Sequence, residues 1–200
     1  MIMGKLQLEE NPLTEILKNE EYLIVLEGTN EFFYTLDEVK ADYIAGQIFI
    51  QMTASRKHEQ IFMKLATTLN GLVEKNNLGE VYGSRFPVAI EPEYHPEPDI
   101  FFVSKNNPGK FKETCFEGIP DLIIEILSKS TRKHDLETKR TLYQKHLIPE
   151  IWFIDYLNKK IIVDYLKNSS YESLEWQTQG KAESRMIESF AINLETIFKD

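Results

Sequence analysis

The chain has 200 residues, and its 23 Lys+Arg against 32 Asp+Glu leave a formal charge of −9. Hydrophobic residues at 42% and charged residues at 28% fit one globular domain, which at this length buries about 70% of its unfolded surface. Modest Pro (8) and Gly (9) exclude collagen-like and broadly disordered chains, and the acidic balance argues against a nonspecific DNA coat, which needs Lys and Arg on phosphate.

The opening MIMGKLQLEENPLTE has no basic region followed by a long apolar one, so no secretory signal is read. Residues 1–40 are mixed: LTEILKNEEYLIVL suits a short helix running into a strand, and TNEFFYTL fits neither template. They are expected to be an N-terminal elaboration ahead of a single domain over 41–200. YIAGQIFIQM (43–52) reads as two strand pieces turning at Ala45-Gly46. Ser55 offers an N-cap, and Ile61, Leu65, Leu69, Leu72 and Val73 recur at helical spacing. This predicts an amphipathic helix over about 57–75, closed by Asn76, Asn77 and Gly79.

Strand-like runs follow at 81–90, 99–104, 121–128, 150–156 and 160–166, while 105–118 is a loop by composition. A second helical pattern over about 134–146 links two of the strands, and Asn158-Lys159 suits a tight turn. FAINLETIF (190–198) reads as a final turn of helix on the core. The order α-β-β-β-α-β-β predicts one α/β domain with a mixed central sheet. The longest apolar runs, LIVL and IWFI, fall far short of the ~20 residues of a membrane span. The single Cys115 forms no internal disulfide and no Cys-rich zinc site. A cytoplasmic location and no membrane partner are expected.

Several chemistries drop out. Histidines 58, 95, 134 and 146 make no His-x-x-x-His pair, and there is neither a Gly-x-Ser-x-Gly elbow nor a Gly-rich phosphate loop. What remains is acids on strands. DLIIEILS holds Glu125 among isoleucines and leucines, where a charge is rarely buried unless it is paired or holds a metal. Strand alternation puts Asp121, Ile123, Glu125 and Leu127 on one face, and Asp99 opens the run DIFFVS. Two carboxylates from neighbouring strands suit a hard cation such as Mg²⁺, with waters completing its shell. The competing reading is a salt bridge from Glu125 to a nearby Lys or Arg.

Glu-Pro-Asp (97–99), Gly-Ile-Pro-Asp-Leu-Ile-Ile-Glu-Ile-Leu-Ser (118–128), Asp-Leu-x-x-Lys-x-x-x-Tyr (135–143) and Pro-Glu-Ile-Trp-Phe-Ile-Asp (149–155) together resemble the bacterial "putative restriction endonuclease" family of the PD-(D/E)XK nuclease superfamily. The similarity runs from about Tyr43 to Phe198 and includes the Ala-Gly-Gln turn, His58 at the helix start and the closing Leu-x-x-Ile-Phe. The resemblance implies a restriction-endonuclease-like core, a mixed central β-sheet flanked by helices. It also implies a Mg²⁺- or Mn²⁺-dependent endonuclease that hydrolyses phosphodiester bonds in DNA.

Taken literally, the superfamily motif falls on Pro120-Asp121 and Glu137-Thr138-Lys139. The superfamily carries its Glu-x-Lys on a strand, however, whereas 134–146 looks helical, where positions i and i+2 lie about 200° apart. The better assignment makes Asp99 and Glu125 the metal-holding acids, with Leu127 where a strand lysine is usual. Asp135, Lys139 and Tyr143 share a helix face at i, i+4 and i+8, so Lys139 can supply a catalytic amine migrated to the following helix. An exposed Asp135–Lys139 pair is the alternative.

His58 and Glu59 begin the long helix as candidates for that edge of the site, with capping or surface roles as alternatives. Arg132 and Lys133 could meet phosphate, or simply be solvated. Tyr143 is expected to pack its ring. A homodimer is a further expectation, with Phe32, Phe33 and Tyr34 available to an interface or to the core. The missing strand lysine and the −9 charge point to a rival, a non-catalytic nuclease-fold module binding nucleic acid or protein, and a metal-dependent hydrolase of another phosphate ester is a third reading.

Overall fold

Residues 24–36, 39–51 and 53–199 are described in a computed structural model. Strands β1 (Ile24–Glu27), β2 (Ala41–Ile44) and β3 (Gln47–Ile50) form an antiparallel sheet with β3 in the middle. Ala45 and Gly46 turn β2 into β3 with φ of 50° and 80°, a pair of left-handed residues that matches the natural twist of a hairpin. The segment that fitted neither template is a short helix, α1 (Asn30–Phe33), capped by the Thr29 hydroxyl, which accepts the Phe32 N–H. Phe33 is buried against Tyr43, and the Tyr34 hydroxyl meets His95 Nδ1 at 2.7 Å, so two of the three aromatics offered to an interface are used internally. The helix expected before residue 24 lies outside the described residues.

Helix α2 (Arg56–Asn76) starts where the sequence places it: the Ser55 hydroxyl accepts the His58 N–H, and Asn77 closes the helix in the left-handed conformation. Ile61, Leu65, Leu69 and Val73 form its buried stripe. The single strand expected over 81–90 is broken in two. β4 (Gly79–Gly83) joins the main sheet, while β5 (Val88–Ala89) pairs with β9 (Phe116–Glu117), itself paired with β8 (Lys110–Phe111). These last two strands lie in the stretch read as loop, because two-residue strands carry no readable alternation. A further short strand, β6 (Tyr94–His95), adds to the edge of β2.

The main sheet has the order β13 (Ser170–Gln177), β12 (Lys160–Lys167), β11 (Glu150–Asp155), β10 (Leu122–Ile126), β7 (Ile100–Ser104), β4. It is mixed as expected. β10 and β11 are parallel, joined by helix α3, while the other pairs are antiparallel. Helix α3 begins as a π-helix, His134–Lys139, and continues as an α-helix, Arg140–Lys145. Along β10, Leu122, Ile124 and Ile126 pack with the α2 stripe on one face, and Ile123 and Leu127 pack with Tyr143 of α3 on the other. Glu125 alternates onto the α3 face.

β13 escaped the sequence reading because it is a mostly exposed edge strand rich in Ser and Glu, whose Tyr171 and Trp176 pack on opposite sides of the sheet and leave no continuous apolar face. The C-terminal turn of helix, α4 (Leu194–Ile197), is preceded by a hairpin of β14 (Lys181–Glu183) and β15 (Ala191–Asn193), so the first part of the 190–198 run is strand. Among the described residues no helix is long and apolar enough to cross a membrane.

Gly79 follows the helix stop, but its necessity comes from β4: a Cβ there would lie 2.0 Å from the Val103 carbonyl oxygen across the ladder. Backbone must move to admit it. Gly79→Ala is expected to lower stability by about 1–3 kcal/mol or more, read as a reduced urea midpoint with unchanged slope.

Candidate active site

β7 and β10 run antiparallel, with Ile100 opposite Ile124, which brings Asp99 beside the end of β10. The Ile126 N–H donates to Asp99 Oδ2 at 2.7 Å, and His58 Nε2 lies 3.4 Å from the same oxygen. The Lys40 ammonium sits 2.5 Å from Oδ1. Burial would raise the Asp99 carboxyl, but Lys40 and His58 outweigh it and hold the group well below the usual carboxylate range. In return, Asp99 raises His58 and Lys40 against the opposing effect of their own burial.

Glu125 is buried on the α3 side. Its Oε1 accepts the Tyr143 hydroxyl at 2.6 Å and the Lys139 ammonium at 3.1 Å. Lys139 has no solvent exposure at all, and also lies 3.2 Å from Asp42 Oδ1 and 3.6 Å from Asp135 Oδ1. Asp42, on β2, accepts the Glu97 N–H at 2.7 Å and Gln51 Nε2 at 3.2 Å, with His134 Nε2 2.9 Å away. Burial pushes Glu125 up to about 8; Lys139 opposes this, while the charges of Asp135 and Asp99 add to it. Burial and the charge of Asp42 push Glu97 up to about 7. Asp42 stays low because Lys139 and His134 overcome its burial, and its charge with that of Glu125 holds Lys139 well above the usual lysine range.

Asp99 and Glu125 open on one cleft of about 1030 Å³, which Lys40, His58, Asp135, Arg85 and Lys129 also line. Among the described residues no three His, Cys, Asp or Glu side chains form a ready-made metal cage. Two carboxylates that leave the rest of the shell to water suit a hard divalent cation rather than a tetrahedral zinc site. The charge pattern fits as well. Asp42, Glu97, Asp99, Glu125 and Asp135 are all buried here, against the ammonium groups of Lys40 and Lys139, and Asp99 already holds a cation on Oδ1.

Of the residues singled out from sequence, the structure brings together Asp99, Glu125, Lys139, Asp135 and His58. Glu59 lines the cleft but is exposed, 3.3 Å from His58 Nδ1. Asp121 is elsewhere: it accepts the Ser104 N–H at 2.7 Å and Asn107 Nδ2 at 2.8 Å, bracing the turn after β7. Glu137 is exposed while Lys139 is buried, so the literal motif does not assemble. Arg132 pairs with the buried Asp155, not with the cleft.

Sequence reasoning missed Lys40, Asp42 and His134, and gave Tyr143 packing alone. Asp42 carried no local signal, since the burial of all four residues of its strand is a property of the fold. Lys40 fell on the far side of the expected boundary at 40, although β1 and Lys40 are both built into the fold.

No curated protein matches this sequence. Among solved structures, a protein from Anabaena variabilis ATCC 29413, titled "a putative nuclease belonging to DUF820", superimposes with a TM-score of 0.72 at 19% identity, over 85% of this chain and 97% of that one. It shows a shared fold. Residues 29–195 match the family Uma2, described as "Putative restriction endonuclease", a match that starts earlier than the Tyr43 read from the motifs. With most of its length covered in this way, from the short helix beside β1 to the C-terminal turn, the chain belongs to the Uma2 family.

Proposed function

We propose that the protein is a divalent-cation-dependent endonuclease that hydrolyses phosphodiester bonds in DNA at the Asp99–Glu125 pair. The observation that carries the reading is the convergence of these two buried acids, from antiparallel neighbours, on a cleft also lined by Lys40, Arg85 and Lys129. These three bases nearly balance the acids of the lining, Glu59, Asp99, Glu125 and Asp135, so the −9 overall charge is not concentrated where a phosphate would enter.

Asp99 and Glu125 would hold Mg²⁺ or Mn²⁺, with the Ile126 carbonyl a further oxygen donor. Such an ion supplies an activated water at neutral pH and neutralises charge on the phosphate oxygens. The Ile126 N–H and His58 fix Asp99 Oδ2. Tyr143 and Lys139 fix Glu125 Oε1, and Lys139 offsets the acids that lie behind it. A second reading, a nuclease fold that binds nucleic acid without cleaving it, is favoured by Leu127 at the usual lysine position and by the enclosure of Lys139. Metal-dependent turnover separates the two.

On supercoiled DNA with Mn²⁺, Asp99→Ala and Glu125→Ala are expected to abolish cleavage while their circular dichroism stays unchanged, and Asp121→Asn is expected to cleave normally. Full activity in Glu125→Ala would end the assignment. Lys139→Met leaves buried acids unpaired, so urea unfolding at neutral pH should show a loss of about 3–5 kcal/mol.

The raised carboxyls also fix a pH dependence. Glu125 keeps its proton up to about 8 when folded, against 4.5 for the ordinary side chain, and Glu97 to about 7. Between those limits the folded protein binds protons that the unfolded chain has released, so stability falls as pH rises. In chelator, the thermal midpoint should drop by several degrees from pH 5 to pH 8. Glu125→Gln should flatten much of that slope, and so should millimolar Mn²⁺ added to the unaltered protein.

A further inference from the structure

We propose that Lys40, rather than Lys139, is the amine that meets the substrate phosphate, and that in the cation-free protein it stands in for the metal on Asp99. The inference rests on reading the Asp99–Glu125 cleft as a cation-dependent phosphodiester site.

The two lysines differ in what they can do. Lys139 is completely enclosed, with Asp42, Glu125 and Asp135 all within 3.6 Å of its ammonium. To touch a ligand it would have to abandon buried carboxylates that have no solvent to replace it. Lys40 lines the cleft, with 18% of its side chain exposed. Its ion pair is with Asp99 alone among the acids of the group, so moving it uncovers one carboxylate, the one a cation would take over.

The two oxygens of Asp99 are also inequivalent. Oδ2 faces the Ile126 N–H and His58 Nε2, both of which stay with the protein's own framework. Oδ1 is the oxygen that Lys40 holds at 2.5 Å, and it is therefore the one left to a metal. An ammonium and a divalent ion cannot both sit against one oxygen without strong repulsion. Lys40 must leave Oδ1 when a cation arrives.

The backbone around Lys40 is pinned, so the side chain alone has to swing. The Gln51 N–H donates to the Lys40 carbonyl at 2.9 Å, and the Ala41 N–H donates to Glu97 Oε2 at 3.3 Å. A released ammonium on this fixed stem remains in the cleft. Its three rotatable donors suit a non-bridging phosphate oxygen, where charge builds up during hydrolysis. Lys139 is then a positioning residue for Glu125.

The test pairs Mn²⁺ calorimetry with DNA cleavage at saturating Mn²⁺. With its competitor removed, Lys40→Met should bind Mn²⁺ about tenfold more tightly than the unaltered protein, equivalent to about 1.4 kcal/mol. It should nevertheless cleave about 100-fold more slowly, as expected for loss of one donor to the developing charge. A residue with a merely structural role would not move these two readouts in opposite directions. Lys40→Gln, which keeps a hydrogen-bond donor without the charge, is likewise expected to bind Mn²⁺ more tightly and cleave more slowly, and serves if Lys40→Met does not fold. Mn²⁺ affinity left where it was, or a cleavage rate left intact, overturns the proposal. If the unaltered protein binds no Mn²⁺ at millimolar concentration, the cation reading of the cleft falls first, and this inference with it.

Discussion

A single enclosed ammonium ties the molecule together. Lys139 reaches Asp42 on the small sheet, Glu125 on the central strand of the large one, and Asp135 one turn back on its own helix. A charge in such surroundings is tolerable only when its partners are close and themselves well satisfied. The Glu97 N–H, Gln51 and His134 on Asp42, and the Tyr143 hydroxyl on Glu125, supply that satisfaction. The small sheet is thereby fastened where Lys40 can reach Asp99, so the same ion pairs that assemble the fold shape the cleft.

Burial of an acid is not enough to mark a site here. Glu150, Asp155 and Asp164 are as buried as Glu125. Glu150 accepts the Trp152 indole N–H and the backbone N–H groups of Arg185 and Met186. Asp155 is taken by Arg132 and Asn158, and Asp164 receives a two-pronged grip from Arg140 together with the Ser173 hydroxyl. Each braces a turn or a strand edge. What distinguishes Asp99 and Glu125 is that both also face an open cavity, a property no local sequence pattern encodes.

The fold was legible wherever one element buries one regular face. The α2 stripe from Ile61 to Val73, the left-handed Ala45-Gly46 turn and the unbroken apolar runs of β10 and β11 each announce their structure. β8, β9 and β13 do not, being either two residues long or polar on an exposed edge. In the candidate site, Glu125 was visible as a charge among isoleucines, and Lys139 through its helical spacing from Asp135. Asp42 and Lys40 were not, because they reach their partners across 97 and 59 positions of chain, respectively. Only the folded packing of one sheet against the other brings them together.

The π-helical stretch from His134 to Lys139 has a consequence for how this chain can vary. A π turn is in effect an α-helix carrying one surplus residue, and the cost of that wider turn is tolerated where it aims a side chain. Because the wide turn absorbs the surplus residue, dropping one position from this stretch would restore ordinary winding and leave the flanking turns close to their present phase. The change would fall on the stretch itself, where His134 and Lys139 now meet Asp42 and Asp135 meets Lys139, while Tyr143 stayed in place. Length, and not only residue identity, is therefore constrained in this half-dozen positions: related chains that keep the cluster should tolerate substitutions here more readily than gaps.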